Sequence, residues 1–394
     1  MTGIVFGPVA VSAGEPILPR WWQTVDRWSL ACLLILAQIG LVMALASSPA
    51  TAERNGLDPF HYFHRQAFYT GAAIALLVIV SMMRIELLRR LCILGFVVGL
   101  VALLLLPVFG TGFGQPAKRW FSLGFGSVQP SEFIKPCFVM VSAWFFVAVG
   151  KLGGQSGERI SLLLAIGIAA ILALQPDFGQ ASLFLAAWGV MYFVAGAPVL
   201  VLMVLAGATG IAGVVAYNTS EHFMRRIDLF LSGEPDPSSQ LGFAVEALRN
   251  GGYFGVGVGE GQIKWSLPDA HTDFIIAVAA EEYGLVLVLF VILLFLVITV
   301  RSLLRLARER SPFIRIAGTG LMSMFALQAL INMGVAARLL PAKGMTLPFI
   351  SYGGSSALAT AILMGVLLAF TRTRPQGDME DAFALPDRRG LRAN

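Results

Sequence analysis

The chain contains 394 residues, of which 57% are hydrophobic and 13% are charged, and its formal net charge is +5. Its mean hydropathy is +0.78, and a water-soluble protein of this length would need far more polar surface. The composition therefore excludes a soluble globular fold and predicts an all-α polytopic membrane protein.

Ten apolar runs follow one another along the chain, and their lengths, close to ~20 residues, predict helices that cross a bilayer. The runs cover residues 29–47, 67–83, 91–109, 133–150, 160–174, 180–195, 198–217, 274–300, 313–337 and 355–370. They divide the chain into an N-terminal segment (1–28), a membrane domain (29–371) and a tail (372–394). The tail mixes charges with Pro and Gly, which predicts disorder.

The distribution of Lys and Arg predicts the orientation of the bundle. If both termini are cytoplasmic, the inner segments hold most of the basic residues, as the positive-inside rule requires. The same bias accounts for the net charge, which therefore indicates membrane topology and not nucleic-acid binding.

The connection between the seventh and eighth runs, residues 218–273, is predicted to be one large extracytoplasmic loop. Connections of this length are uncommon unless they carry a function. The stretch "LGFAVEALRN" is typical of an amphipathic helix that lies on the membrane surface or against the bundle. Gly255, Gly257, Gly259 and Gly261 follow at every second position, without the βαβ unit of a dinucleotide site. They indicate either a hinge-like loop or a close approach of the backbone to a ligand.

Other charged residues lie on the predicted outer side, where a simple anchor would not need them. Glu132 and Lys135 begin the fourth run three residues apart, so they share a helix face and are expected to neutralise each other. Asp177 lies in a tight turn between two spans. Charge within a membrane favours a functional role, but ion pairs that only hold the bundle together explain such residues equally well.

The stretch "SLPDAHTDFIIAVAAEEYGLVLVLF" places three carboxylates at or inside the eighth run. Asp273 is at the outer mouth, and Glu282 lies ~13–14 Å deeper, nearly on the opposite side of the helix. The three acids therefore cannot form one cluster, and we expect neighbouring helices to supply partners for Glu281 and Glu282. A half-desolvated carboxylate at a water-accessible mouth, in contrast, suits a general base, which makes Asp273 the candidate.

Four stretches together make the chain similar to a known family: "RWFSLGFGSVQPSEFIKP", "QPDFGQAS", "LPDAHTDFIIAVAAEEYG" and "LPAKGMTLPFISYGGSS". The chain resembles the SEDS family of bacterial cell-wall polymerases, over nearly its whole length up to about residue 371. Within that family it looks more like the division members than the elongation members. One departure from the family pattern is that Phe243 and Ala244 stand where many relatives have Gln-Ser.

The resemblance implies a peptidoglycan glycosyltransferase that polymerises lipid II at the outer face of the cytoplasmic membrane, at the division septum. In that family the 4-hydroxyl of one disaccharide attacks the anomeric carbon of another, and undecaprenyl diphosphate leaves. The essential acid of the family corresponds to Asp273, as the general base, and an Arg of the family's loop corresponds to Arg226. The further candidates for substrate binding are Lys118, Arg119, Lys343, Ser351 and Tyr352.

The resemblance also implies a divalent cation such as Mg²⁺. Because the sequence contains no compact set of metal ligands, we expect such a cation to be shared with the substrate diphosphate. Cys32, Cys92 and Cys137 lie in apolar runs and show no disulfide or metal spacing. No organic cofactor is expected. The family resemblance implies a class B penicillin-binding protein as partner, with other membrane proteins of the divisome and membrane lipids.

Two other functions are consistent with a bundle of ten spans. A lipid II flippase could use Glu281, Glu282 and Asp177 in alternating access, but the polar residues favour the outer side and no inverted repeat is evident. A scaffold for the penicillin-binding protein would need no chemistry at all. Replacement of Asp273 by Ala separates these possibilities from an enzyme.

Overall fold

The computed structural model describes residues 17–112, 118–122, 124, 126–148, 156–231, 239–267, 270–341 and 344–373. These residues form thirteen α-helices, a short 3-10 helix and one two-stranded antiparallel sheet. The helices are α1 (Ile17–Thr24), α2 (Arg27–Arg54), α3 (His61–Met82), α4 (Ile85–Phe109), α5 (Pro130–Ala148), α6 (Ser156–Leu174), α7 (Phe178–Val194), α8 (Val199–Thr219), α9 (Glu221–Leu231), α10 (Gln240–Gly251), α11 (Ile275–Ala307), α12 (Pro312–Ala336) and α13 (Gly354–Phe370). The strands are β1 (Phe121–Ser122) and β2 (Ser127–Val128), and the 3-10 helix spans Ile263–Trp265. The tail is predicted to be disordered, and its residues from 374 onward lie outside the described ones.

The ten apolar runs are confirmed as the helices α2 to α8 and α11 to α13. Within the described part of the chain, α2, α3, α4, α6, α8, α11 and α12 are long and apolar enough to cross a membrane, and α7 and α13 are shorter apolar helices. Large apolar side chains such as Val98, Leu104 and Leu293 are exposed on the outer surface of the bundle. The chain is therefore a helical multi-pass membrane protein. Among the described residues, the elements that the sequence analysis does not predict are α1, α9, the 3-10 helix and the small sheet between α4 and α5.

Both termini of the bundle lie at the end opposite the large loop. The backbone N–H of Thr373 donates to the carbonyl of Thr24 (2.9 Å). At the same end, the buried carboxylate of Asp26 pairs with Arg301 (2.8 Å), close to the C-terminus of α11. Since α11 begins beside Asp273, the loop and the two termini occupy opposite ends, as the sequence predicts.

Glycines allow the helices that carry the site to approach closely. A Cβ on Gly365 of α13 would lie 2.8 Å from Val80 of α3, and one on Gly354 would lie 2.6 Å from Tyr69. Small residues at helix interfaces are the usual way in which membrane helices gain contact area. The start of α13 is thereby fixed against the half of α3 that is nearer the large loop.

Residues 240–267 fold as a re-entrant hairpin and do not lie wholly outside the bundle. Helix α10 packs Ala244 and Ala247 against Ala277 and Val278 of α11, so it descends beside that helix. At its end, a Cβ on Gly251 would lie 1.8 Å from the carbonyl of Ala280. The predicted amphipathic helix therefore packs against the bundle, and the hairpin reaches inward along α11.

The tip of the hairpin is inserted into a break in α11 at Gly284, where φ is 78° and ψ is −176°. The carbonyls of residues 281 and 282 accept hydrogen bonds from the N–H groups of Val256 (2.9 Å) and Gly257 (3.2 Å). The N–H groups of Leu285 and Val286 donate to the carbonyls of residues 252 and 253. Each of these backbone N–H and carbonyl groups, freed by the break in α11, therefore has a hydrogen-bond partner in the hairpin. Irregular backbone at membrane depth requires such partners.

The same contacts decide between the two interpretations of the glycine run, a hinge-like loop or a close approach of the backbone to a ligand. Gly255 has φ +81°, and a Cβ there would lie 2.2 Å from the carbonyl of Glu282. The glycines therefore serve a close backbone approach, but to the chain's own helix. The amides of residues 256 and 257 are bonded to α11, so they do not face a ligand.

Glu281 and Glu282 find their partners in this hairpin. Glu281 Oε1 accepts from the N–H groups of Gln262 (2.8 Å) and Ile263 (3.0 Å), and Glu282 Oε1 pairs with Lys264 Nζ (2.5 Å). The expectation that neighbouring helices supply these partners is therefore wrong. The reason is that the loop itself enters the bundle and places its own amides and its own lysine beside the two acids.

Candidate active site

A cavity of about 1150 Å³ is present at the loop end of the bundle. Its walls come from the loop-end half of α3, the connection between α4 and α5, the turn between α6 and α7, the turn before α11, the loop end of α12 and the segment before α13. The cavity exceeds the ~300–1,000 Å³ of typical small-molecule pockets, so it can hold an extended ligand. The predicted site residues on its wall are Lys118, Arg119, Glu132, Asp273 and Tyr352.

Asp273 is half-buried in the turn that precedes α11. Each of the three consecutive carbonyls of residues 271–273 accepts one hydrogen bond. Their donors are the backbone N–H of Tyr352 (2.9 Å), the Oγ of Ser351 (2.5 Å) and the Nδ2 of Asn332 (3.0 Å). The backbone around Asp273 is thus held from two sides, by α12 and by the segment before α13.

The carboxylate of Asp273 lies beside Gly344, where φ is +56°, and a Cβ on that glycine would lie 3.5 Å from Oδ2. A Cβ at that distance would be in ordinary contact with the acid, but any side chain at this position would strain the backbone, because φ lies in the left-handed region. Lys343, the preceding residue, lies outside the described residues, so its predicted role has no structural account.

Three aromatic rings pack together around His271, two residues before Asp273. The ring centroids of Tyr62, His271 and Tyr352 lie 5.3–5.4 Å from one another. Thr51 Oγ1 lies 3.3 Å from His271 Nδ1. Burial raises the pKa of Tyr352 above its ordinary value, so its hydroxyl stays protonated and able to donate at neutral pH.

Basic side chains reach the same cavity. Arg119 donates to the carbonyls of Gln175 (3.3 Å) and Pro176 (2.6 Å), and the exposed Lys118 donates to the carbonyl of Pro107 (3.2 Å). A further cationic side chain that lines the cavity is Arg65 of α3. The sequence contains a signal for it, because an arginine beside an apolar run on the predicted outer face goes against the positive-inside rule.

The predicted ion pair between Glu132 and Lys135 is confirmed, with 2.8 Å between Oε1 and Nζ. Lys135 also donates to Gln328 Oε1 (2.7 Å), and Gln180 Nε2 donates to Glu132 Oε1 (2.7 Å). Ser356 Oγ lies 3.4 Å from the second carboxylate oxygen of Glu132. Since Glu132 and Gln180 also line the cavity, this network forms part of its wall.

Asp177 has a structural position at the start of α7. Its carboxylate caps the helix by accepting from the N–H of Gln180 (3.3 Å), as N-cap aspartates do. Burial raises the pKa of Asp177, and the nearby Arg119 guanidinium offsets part of that rise. Asp177 is buried and is not among the residues that line the cavity.

The other predicted residues are not brought to the cavity wall. Ser351 is buried behind it, where its hydroxyl donates to Thr272 and accepts from the N–H of Leu347 (2.8 Å). Glu281 and Glu282 are sealed beneath the hairpin. Arg226 belongs to α9, and its side chain lies outside the described part.

The chain matches known proteins over most of its length. The family model described as "Cell cycle protein", for FtsW, RodA and SpoVE, matches residues 26–376. The probable peptidoglycan glycosyltransferase FtsW of Caulobacter vibrioides is 40% identical over 360 residues, which cover 91% of this chain and 92% of that protein. Its counterpart in Hydrogenovibrio crunogenus is 39% identical and covers 89% and 91%.

Solved structures share the fold. A chain from the study "Structural coordination of polymerization and crosslinking by a peptidoglycan synthase complex" superposes with a TM-score of 0.73 at 26% identity, covering 88% of this chain and 97% of that chain. The rod shape determining protein RodA of Thermus thermophilus, at 24% identity, gives 0.64 and covers 89% and 97%, which bears on the fold alone. The chain therefore belongs to the SEDS family, the group of FtsW, RodA and SpoVE.

Proposed function

We propose that the chain is a peptidoglycan glycosyltransferase that polymerises lipid II into glycan strands during cell division, with Asp273 as the general base. The names of its relatives support the activity. The observation that carries the assignment of Asp273 is its place on the wall of the large cavity, on a backbone held by three hydrogen bonds.

The chemistry follows from the position of this acid. The 4-hydroxyl oxygen of one saccharide attacks the anomeric carbon of a second, and Asp273 accepts the hydroxyl proton. The bond between that carbon and the diphosphate oxygen breaks, and undecaprenyl diphosphate leaves with the bonding electrons. A positioned base contributes about 10²–10⁴-fold to such a step, because a sugar hydroxyl is a weak nucleophile.

The leaving group requires positive charge as it departs. Arg65, Lys118 and Arg119 line the cavity, and charge-assisted hydrogen bonds from such groups bind diphosphate oxygens strongly. Arg226 and Lys343 belong to the same proposal on the basis of family resemblance. Tyr352 adds a protonated hydroxyl on the wall, and Ser351 acts through the backbone of Thr272.

A divalent cation such as Mg²⁺ would assist the same step by binding the diphosphate. The described residues contain no group of three His, Cys, Asp or Glu side chains that could hold a metal ion. Such a cation would therefore take most of its ligands from the substrate, as Mg²⁺ at phosphate sites usually does.

The same proposal places the cavity on the outer face of the bacterial cytoplasmic membrane, at the septum, with both termini in the cytoplasm. The excess of basic residues at the terminal end supports this orientation. A class B penicillin-binding protein and other divisome proteins are the proposed partners, and the synthase complex that shares the fold supports the first of them.

The test is polymerisation of purified lipid II in detergent, with the partner transpeptidase present. Asp273→Asn is expected to lose at least about 10²-fold in rate, since it removes the base without changing size. Glu246→Gln, at an exposed acid of α10, is the matched control and keeps the wild-type rate. Polymerisation by Asp273→Asn at the wild-type rate would contradict the assignment. Transport of lipid II across liposomes without polymerisation would favour a flippase.

A further inference from the structure

Two amide side chains on α12, Gln328 and Asn332, lie one turn apart on the same face of the helix, and both are 3% exposed. Gln328 Nε2 donates to the carbonyl of Thr346 (3.0 Å), and Asn332 Nδ2 donates to the carbonyl of Met345 (2.6 Å). We call these two side chains the amide ladder, because they hold consecutive carbonyls of the segment before α13.

Each amide of the ladder is fixed in one orientation. Gln328 Oε1 accepts from Lys135 Nζ (2.7 Å), so its NH₂ group must face residues 345–346. Asn332 Nδ2 lies between the carbonyl of residue 345 and that of Asp273 (3.0 Å). Both carbonyls accept and cannot donate, so a flipped amide would place oxygen against oxygen.

The ladder links the buried ion pair to the backbone carbonyl of Asp273 through hydrogen bonds and a short stretch of main chain at residues 345–346. In order, this link runs through Glu132, Lys135, Gln328, residues 345–346, Asn332 and Asp273. A polar group that loses its partner in a membrane interior is costly, and hydrogen-bond networks in a low-dielectric interior couple their members. In the ladder, both amide nitrogens and Gln328 Oε1 are bonded, whereas Asn332 Oδ1 has no hydrogen-bond partner among the described residues. A change at one end is therefore felt at the other.

We propose that Gln328 and Asn332 are positioning residues for Asp273, and that the Glu132–Lys135 pair acts on Asp273 through them. This inference rests on the proposed function of Asp273 as the base. It assigns the ion pair a role in catalysis although Lys135 is not among the residues that line the cavity. It also gives a physical reason for the two amides, which an apolar helix facing lipid and protein would not otherwise need.

The first test measures kcat and KM for lipid II. Asn332→Leu keeps the size of the side chain and removes the donor, so Asp273 loses one of its backbone bonds. A displacement of about 1 Å costs on the order of 10²-fold, so kcat is expected to fall by that factor while KM stays within about twofold. Gln328→Leu is expected to act in the same direction and less strongly, because it touches Asp273 only through Asn332 and the 345–346 segment.

The second test measures how the rate depends on pH. A side chain that only fills space at position 332 would not change this dependence in the way described next. In Asn332→Asp, the protonated carboxyl carries an O–H in place of Nδ2 and can donate to a carbonyl, whereas the carboxylate cannot. The rate of Asn332→Asp relative to wild type is therefore expected to rise as pH falls. The relative rate of Asn332→Leu is expected to stay constant across the same range.

A double-mutant cycle tests the coupling along the chain. If Gln328 acts through the ladder, Gln328→Leu adds little to Asn332→Leu, and the two factors do not multiply. Hydrogen exchange in residues 270–275 is expected to speed up in Asn332→Leu, a readout that needs no turnover. Thr319→Val on the same helix is the control, because Thr319 bonds only its own helix at the carbonyl of Arg315.

Equal pH profiles for the Asp and Leu variants, or unchanged exchange in residues 270–275, would overturn the positioning role. Should Asn332→Leu fail to fold, Asn332→Asp and Gln328→Leu decide the question by the same measurements. A wild-type protein that does not polymerise lipid II would overturn the proposed function alone, since hydrogen exchange still tests the positioning of Asp273.

Discussion

Among the described residues, two ion pairs have both side chains buried, and the two pairs differ in what they hold. The side chains of Glu132 and Lys135 are 4% and 2% exposed, and those of Glu282 and Lys264 are 0% and 4% exposed. The first pair is connected to the cavity wall and, through the amide ladder, to Asp273. The second pair closes the re-entrant hairpin onto α11.

The contrast teaches that burial of charge does not by itself reveal the role of a residue. Both pairs are expensive to desolvate, and in both the lysine also donates to a second, uncharged oxygen, Gln328 Oε1 for Lys135 and the carbonyl of Gly259 for Lys264. Only the groups attached to the pair distinguish catalytic support from the anchoring of a loop. Substitutions that remove charge from one pair at a time therefore separate stability from activity.

The largest effect is expected from Lys264→Met, which leaves Glu282 charged and unpaired in the interior. Loss of one partner of a buried pair costs about 3–5 kcal/mol, so the free energy of unfolding falls by this amount. The measurement is thermal unfolding of the purified protein in detergent.

The matched variant replaces both members, Lys264→Met together with Glu282→Met. Apolar replacement of a whole buried pair is often neutral or stabilising, so stability is expected to return close to wild type, with polymerisation retained. If the double variant is as unstable as the single one, the pair does more than neutralise itself, and the comparison with Glu132–Lys135 fails.

The opposite outcome is expected for Glu132→Met combined with Lys135→Met. This double variant again leaves no unpaired charge in the interior. Gln328 loses its hydrogen bond from Lys135, however, and Asp273 loses the support of the amide ladder. Polymerisation is expected to fall by about 10²-fold, while the free energy of unfolding falls by less than in Lys264→Met, because neutral amides and not a charge lose their partners. Wild-type activity in this variant would show that both pairs serve the fold alone.

Much of this architecture could be predicted from the sequence, because apolar runs of bilayer length have few other structures open to them. The pairing of Glu132 with Lys135 was predictable as well, since three residues on one helix fix their geometry. The same local reasoning identified Asp273 as the acid at the mouth, apart from Glu281 and Glu282.

The contacts that could not be predicted are those between segments distant in the chain. Lys264 meets Glu282 only because the hairpin turns back into the bundle, and no local pattern distinguishes such a loop from an external one. Gln328 and Asn332 carry no charge, so nothing in their own segment marks them. Their function depends on Lys135 and Asp273, which the fold brings to them.

A smaller effect on stability is expected at the backbone junction of the hairpin, without any change of charge. Gly284→Ala places a Cβ 2.3 Å from the carbonyl of Tyr253 at a residue with φ 78°. Backbone strain of this kind costs about 1–3 kcal/mol, so the apparent Tm falls. Gly210→Ala on α8 is the control, because nothing lies within 4 Å of its added Cβ. Equal Tm values for the two variants would mean that the backbone conformation at Gly284 contributes little to the stability of the hairpin.

The smallest effect is expected in how the stability of the protein depends on pH through Asp177. Burial raises the pKa of Asp177 above the ordinary value of 3.8, so the folded state keeps this proton to a higher pH than the unfolded chain does. In that window the folded state binds more protons, and its stability decreases as pH rises through the folded pKa.

Asp177→Asn removes this proton and keeps the helix cap, because Asn and Asp cap helices equally well. The Tm of the Asn variant relative to wild type is therefore expected to increase as pH rises from about 4, the unfolded pKa of Asp. Thermal unfolding of both proteins in detergent over a series of pH values measures it. Parallel curves would mean that the attraction of Arg119 offsets the effect of burial on the pKa of Asp177. The stability of the protein would then not depend on pH through Asp177.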